Sequence, residues 1–180
     1  IEWGGSNLNS QYVIVPRGYS EQSFTPDGQN GMVFIARYGY VGLAVEQKEF
    51  IAEGINEAGL SAGLFYFPHY GEYEDYDKKV ADSSISDFQL VSWILGKCTT
   101  LEEVKEAVAN VHIINIDSRA STVHWRFADQ TGRQLVLEII GKETHFYENN
   151  LGVLTNSPGF EWHLTNLNNY VNLYPGTAQT

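Results

Sequence analysis

"EFIAEGINEAGLSAGLFYF", residues 49–67, is the stretch whose reading decides the fold. Two apolar runs flank Asn56-Glu57-Ala58-Gly59, a four-residue connection of the kind that closes a β-hairpin. The second arm, "LSAGLFYF", is nearly continuous in small and apolar residues, as in a strand covered on both faces. A hairpin of this type needs neighbours, and the flanking segments supply them. "QYVIVP" (11–16), "GMVFIARYG" (31–39) and "VGLAVEQ" (41–47) read as strands upstream. Downstream, "STVHWRFAD" (121–129), "RQLVLEII" (133–140), "ETHFYEN" (143–149) and "LGVLTN" (151–156) do the same. Asp129-Gln130-Thr131-Gly132 and Gly141-Lys142 are hairpin connections with glycine where a positive φ is cheap.

Helical periodicity fills the gap between these two strand-rich regions. Ser86 is placed to cap a helix carrying Phe88, Val91 and Leu95 at spacings of three and four. In "TTLEEVKEAVANV" (99–111), Thr99 or Thr100 caps a second helix, acidic residues occupy its first turn, and Leu101, Val104, Val108 and Val111 form its stripe. A last helix carries Phe160, Leu164, Leu167 and Val171 at i, i+4, i+7 and i+11. "HYGEYEDYDKK" (69–79) is acidic, tyrosine-rich and aperiodic, which predicts a solvated loop, with a lid or an oligomer contact as the alternative. The order β-meander, helix pair, β-meander, helix describes an α+β layered sandwich of antiparallel sheets with helices outside, as a single domain over 1–180.

Composition narrows the function. Of 180 residues, 43% are hydrophobic and 18% charged, which is a globular balance. Eleven basic against 22 acidic residues give a net charge of −11, so no basic stripe exists to neutralise nucleic-acid phosphates. No apolar run approaches the roughly 20 residues of a membrane span. One cysteine, Cys98, rules out an internal disulfide and a Cys-x-x-Cys metal site; lying between two helices with no base nearby in sequence, it reads as structural. The five histidines have no ligand spacing, and His124 in "VHWRF" alternates with apolar neighbours as a strand residue with a satisfied hydrogen bond. No Gly-x-Ser-x-Gly, phosphate loop or His-Glu-x-x-His pattern occurs. Thr155-Asn156-Ser157-Pro158 has turn and cap chemistry, yet ends a run that reads as a buried strand. On the residues alone the chain is a soluble α+β sandwich, either substrate-binding or enzymatic.

A resemblance goes further. "GVLTNSPGFEWHLTNLNNYVNL" (152–173) resembles the segment of choloylglycine hydrolases, the bile salt hydrolases and penicillin V acylases, in which a strand ends in Thr-Asn-(Ser/Asn)-Pro before a helix. Ile1-Glu2-Trp3 is similar to the family's Met-Asp-Trp, and "VIVPRGY" (13–19), "EGINEAGLSAGLFYFP" (53–68) and "STVHWRFADQTGRQLVLE" (121–138) resemble further family stretches in the right order. The resemblance implies an N-terminal nucleophile hydrolase with an αββα four-layer sandwich, hydrolysing a linear amide without a cofactor or metal. A conjugated bile salt is its first substrate, and penicillin V or another N-acyl amide the alternative. It further implies a bacterial protein that assembles as a homo-oligomer, a tetramer.

In such enzymes an N-terminal cysteine attacks the amide with its own α-amine as base, whose pKa of about 8 suits proton transfer near neutrality. By the resemblance, Asn156 and the backbone N–H of Phe65 form the oxyanion hole, Glu2 stands where an aspartate contacts the nucleophile, and Ile1, Phe65 and Val123 line the acyl pocket. Bile-salt-preferring members often carry Asn at the Phe65 position and penicillin V acylases often Tyr. The nucleophile and one arginine are expected upstream of Ile1, and a second arginine downstream of Thr180, so the chain reads as a piece of the enzyme. Glu in place of Asp at position 2 keeps open a different class, a catalytically inactive small-molecule-binding relative.

Overall fold

The hairpin at 49–67 sits inside a seven-stranded antiparallel sheet. The structure is a computed structural model, and it describes residues 8–117, 120–173 and 176. The strands are β1 (Ser10–Val15), β4 (Tyr40–Val45), β5 (Ile51–Asn56), β6 (Ser61–Tyr66), β9 (Val123–Ala128), β10 (Gln134–Ile140) and β11 (Glu143–Glu148). Their spatial order is β1-β4-β5-β6-β9-β10-β11, so β6 joins the first meander to the second. Two short sheets stand apart: β2 (Ser20–Gln22) with β3 (Val33–Ile35), and β7 (Ser84–Ser86) with β8 (His112–Ile114). Helices α1 (Leu90–Lys97), α2 (Leu101–Val108) and α3 (Phe160–Leu167) complete the fold.

The turns follow their chemistry. Gly59, Gly132 and Gly141 have φ of +85°, +85° and +59°, as hairpin connections require. Asn56 does more than bend the chain. Its Oδ1 accepts from Ala58 N–H and Leu60 N–H, while Nδ2 donates to the Leu95 and Cys98 carbonyls at 2.9 and 2.8 Å. One buried amide therefore closes the β5–β6 turn and satisfies orphan carbonyls at the end of α1. Thr100 caps α2 by accepting from Glu103 N–H at 3.2 Å, and the Glu103 carboxylate returns to Thr99 N–H at 2.6 Å.

Directly paired residues share a sheet face, so register sorts the side chains. Leu64, Trp125 and Leu137 lie across β6, β9 and β10 on one face, and all three are fully buried in the core with Leu90, Ile94, Leu101 and Val104 of α1 and α2. The opposite face carries Phe65, His124 and Glu138, with the start of α3 above them: Phe160 is buried and its N–H donates to Glu138. Toward β1, β4 and β5 this second face leaves Tyr12, Ile14, Val41 and Ile55 exposed, Tyr12 at 92%. The described residues thus supply one helical layer and one sheet of the expected αββα stack.

Three expectations change. Segment 31–39 yields only the three residues of β3, because Ala36 N–H donates to Tyr19 and Arg37 N–H to Gly96, tying the chain to β2's neighbour and to α1. "LGVLTN" forms no strand: Gly152 adopts φ +72°, the Asn149 side chain accepts from Gly152 N–H and donates to the Val153 carbonyl, and Val153 is 63% exposed. The α3 stripe forms a helix, but Leu164, Leu167 and Val171 are exposed. The acidic loop is anchored. Tyr73 Oη donates to the Val123 carbonyl at 2.8 Å and accepts its N–H at 2.7 Å, while Glu72 N–H donates to Ile139. Among the described residues no helix is long and apolar enough to cross a membrane.

Candidate active site

The site is built where β6 outlasts its neighbour. β5 pairs with β6 only as far as Gly63, so beyond that point one edge of β6 lacks a strand, while the other edge continues with β9 to Tyr66. N–H groups along a strand alternate between its two edges. Phe67 N–H donates to Thr122 on the β9 side at 2.8 Å, so Phe65 N–H, two residues back, is aimed the same way into the ladder. Tyr66 N–H therefore faces the open edge. Residues 156–157 occupy it. Tyr66 N–H donates to Asn156 Oδ1 at 3.0 Å, Ser157 N–H to the Tyr66 carbonyl at 3.1 Å, and Ser157 Oγ to the Pro68 carbonyl at 2.9 Å.

This geometry orients the Asn156 amide. With Oδ1 committed to Tyr66, Nδ2 is turned outward, and it makes no hydrogen bond among the described residues. Asn156 is half-buried, neither dissolved in solvent nor sealed in the core. Flanking groups hold its main chain. His124 Nε2 donates to the Thr155 carbonyl at 2.9 Å, and His163 Nε2 lies 3.2 Å from the Asn156 carbonyl and from Thr155 Oγ1. His124 Nδ1 meets Glu138 Oε1 at 2.9 Å with both side chains at 0–1% exposure. Phe67 stacks on the His124 ring at 4.2 Å and 10°, and Phe65 meets it edge-on at 6.0 Å.

The expected residues fall unevenly around this point. Asn156 and the second hairpin arm come together, but the N–H beside the carboxamide belongs to Tyr66, one residue past Phe65. Phe65 and Val123 do not share a wall. Phe65 pairs with His124, so Val123, one residue away, points to the opposite sheet face, where it is fully buried in the core. Ile1 and Glu2 lie outside the described residues. Cys98 is buried, and burial pushes its thiol up to about 12, which fits a structural residue. His124 is the satisfied strand histidine its alternation predicts. Glu138, its partner, escaped the sequence reading; the Asp129–Gly132 hairpin is the signal that finds it, since its register sets Trp125 opposite Leu137 and hence His124 opposite Glu138. A cleft of about 720 Å³ between β3 and α2 is lined by Cys98 but by none of Phe65, Tyr66, Val123, His124, Glu138 and Asn156.

The family of linear amide C–N hydrolases, the choloylglycine hydrolase family, matches residues 2–180. The chain belongs to this family. The bile salt hydrolase/transferase of Clostridium perfringens is 33% identical over 175 residues, covering 93% of the chain and 51% of that protein. The bile salt hydrolase/transferase of Lactiplantibacillus plantarum is 34% identical over 149 residues, covering 79% and 45%. Among solved structures, a variant of conjugated bile acid hydrolase from C. perfringens superposes with a TM-score of 0.79 at 32% identity, over 94% of this chain and 52% of that one. Penicillin V acylase from Agrobacterium tumefaciens shares the fold with a TM-score of 0.77 at 23% identity, over 92% and 50%. The fold class is therefore the α+β sandwich of the N-terminal nucleophile hydrolases. The chain spans about half the length of these choloylglycine hydrolase relatives.

Proposed function

We propose that the protein hydrolyses a linear amide, a conjugated bile salt in the first instance, and that Asn156 Nδ2 donates to the oxyanion formed when the nucleophile adds to the amide carbonyl. Water supplies the second half-reaction, so the products are a free carboxylate and an amine. One observation carries this reading: Tyr66 N–H takes Asn156 Oδ1 at 3.0 Å and so presents the NH₂ at an open strand edge. A donor fixed before reaction needs no reorganisation as charge develops, and one such donor is worth about 10²–10³ in kcat. Tyr66 N–H faces the same edge, but its proton is spent on Asn156 Oδ1, so its part is to orient the carboxamide, and Phe65 N–H, aimed into the ladder with β9, is not available to the hole either. Bile salts come first because the relatives above 30% identity are named for them.

A second substrate class is favoured by the same one-residue shift. The side chain beside the oxyanion position is Tyr66, and tyrosine there is the feature the family resemblance associates with penicillin V acylases. An aromatic N-acyl group, such as phenoxyacetyl, would then lie against Tyr66, whose side chain is on the sheet face opposite Phe65.

The test is Asn156→Ala in the full protein, with taurine released from a taurine-conjugated bile salt and phenoxyacetate released from penicillin V measured by mass spectrometry. Loss of kcat by about 10²-fold or more on the preferred substrate supports the reading. A loss of less than about tenfold overturns it, and the ratio of the two parent rates decides between substrate classes.

A further inference from the structure

We propose that His124 and Glu138 are positioning residues for this reaction: together they clamp the peptide unit that leads into Asn156 and the first turn of α3, and so set the aim of the Asn156 amide. The inference rests on the proposed role of Asn156 and extends it one layer inward.

The hydrogen-bond logic is closed. The Thr155 carbonyl can only accept, so His124 Nε2 carries a proton and donates to it at 2.9 Å. That carbonyl belongs to the Thr155–Asn156 peptide plane, and Ser157 N–H, donating to the Tyr66 carbonyl, holds the next plane; together the two set the direction in which the Asn156 Cα–Cβ bond leaves the chain. On the other side of the ring, Nδ1 meets Glu138 Oε1 at 2.9 Å, and the same oxygen accepts Phe160 N–H at 2.9 Å. Glu138 thus links β10 to the N-terminus of α3, where orphan N–H groups favour a carboxylate. The imidazole cannot swing away, because Phe67 covers its face at 4.2 Å. The chain between the two anchors, Thr155 to Phe160, holds Asn156 and the two bonds by which Ser157 is fastened to β6 and Pro68.

Stability is a poor reason to keep such a pair. His124 and Glu138 are 0% and 1% exposed, and Glu138 Oε2 finds no partner among the described residues. A buried ionisable pair of this kind is often replaceable by apolar residues with no loss of stability. What apolar residues cannot do is grip a carbonyl and an N–H on either side of Asn156. A displacement of about 1 Å at a reacting group lowers rate by about 10²-fold, so the grip has catalytic weight although neither residue touches substrate.

Four substitutions in the full protein separate grip from packing. In His124→Asn the amide nitrogen lies where Nδ1 was, keeping Glu138 and releasing Thr155; in His124→Gln it reaches the Nε2 position and keeps Thr155. Glu138→Leu releases Nδ1 and Phe160, whereas Glu138→Gln retains an acceptor for Phe160 N–H. Expected are a fall in kcat of about 10- to 100-fold, with KM within about threefold, for His124→Asn and Glu138→Leu, and recovery to within about fivefold of the parent for the two Gln variants. Rates are normalised to the folded fraction measured by near-ultraviolet circular dichroism, so a variant that folds poorly still reports. Equal kcat across all four variants, or His124→Gln falling as far as His124→Asn, overturns the proposal. Asn156→Ala serves as the reference. If it is inactive while the four variants keep the parent kcat, this inference alone fails; if it is active, the oxyanion reading fails first.

Discussion

On the helix-covered face of the sheet, Leu64, Trp125 and Leu137 lie in one core cluster with residues of α1 and α2, and every one of them is shielded from water. On the other face, one residue along the same strands, Phe65, His124 and Glu138 form a row with polar groups at its centre, and beyond it Tyr12, Ile14, Val41 and Ile55 stand exposed. The two faces share a backbone and differ in what their side chains are asked to do. Apolar burial at about 25 cal/mol per Å² makes the first face the source of stability. The second aims hydrogen bonds at a single segment, 155–160, which under the proposal above sets where Asn156 ends up. Alternation along three strands thus separates the buried apolar residues of this choloylglycine hydrolase family member from those proposed to position Asn156.

That separation is breakable. Trp125→Ala removes the largest fully buried side chain of the covered face and should cost about 3–5 kcal/mol in denaturant unfolding. A cost below about 1 kcal/mol would mean that the covered face does not dominate stability. Asp87 gives the next effect. It is fully buried three residues before α1, and burial pushes its carboxyl from 3.8 up to about 7, against the opposing hydrogen bonds from Phe88 N–H and Ser86 Oγ. A carboxyl whose folded pKa is raised holds a proton that the unfolded chain would release. Its contribution is therefore complete below about pH 4 and is lost as pH rises through 7. At 1.36 kcal/mol per unit the ceiling is on the order of 4 kcal/mol. Asp87→Asn should flatten the fall of Tm between pH 5 and 8 and make the variant the more stable form at pH 8. Glu21, raised to about 7 by burial, titrates in the same window and keeps part of the slope. An unchanged slope would place the titrating groups elsewhere.

What was legible in the sequence follows the range of the forces involved. Hairpins were readable because Asn56–Gly59, Asp129–Gly132 and Gly141-Lys142 carry their turn chemistry locally, and α2 because its cap and stripe are contiguous. The choice between Phe65 and Tyr66 was not. Which of two adjacent N–H groups faces an open edge depends on how β6 registers with β9, about 60 residues away in sequence, and on β5 ending early. The same non-local register hid the His124–Glu138 pair and the opposite facing of Phe65 and Val123. "LGVLTN" misled for a related reason: apolar content predicts a strand, but whether the run is buried depends on what lies against it. Asn156 itself was found through resemblance to a family motif, because a lone Asn before Ser-Pro has an equally good life as a turn.

Two smaller effects sharpen the contrast between the faces. Thr100→Ala removes the α2 cap and leaves Glu103 N–H to water, which should cost about 1 kcal/mol without touching hydrolysis, since α2 lies on the covered side. A change in kcat larger than about twofold would show that the helical layer reaches the site.

Leu164→Ser addresses the stripe whose helix formed but whose burial did not. Leu164 is 40% exposed and Leu167 42%, while Phe160 at the head of the same helix is at 2%. Periodicity predicts a core-facing residue at 164, and a buried leucine lost to a polar side chain would cost about 2–5 kcal/mol. The geometry instead ties α3 down at its first turn, through Phe160 and the Glu138 carboxylate, and leaves its later turns uncovered by any described residue. On that basis the substitution should fall within about 0.5 kcal/mol in denaturant unfolding of the full protein, with kcat unchanged. A loss of 2 kcal/mol or more would mean that another part of the protein covers the stripe, and that the open face is a second core awaiting its other half.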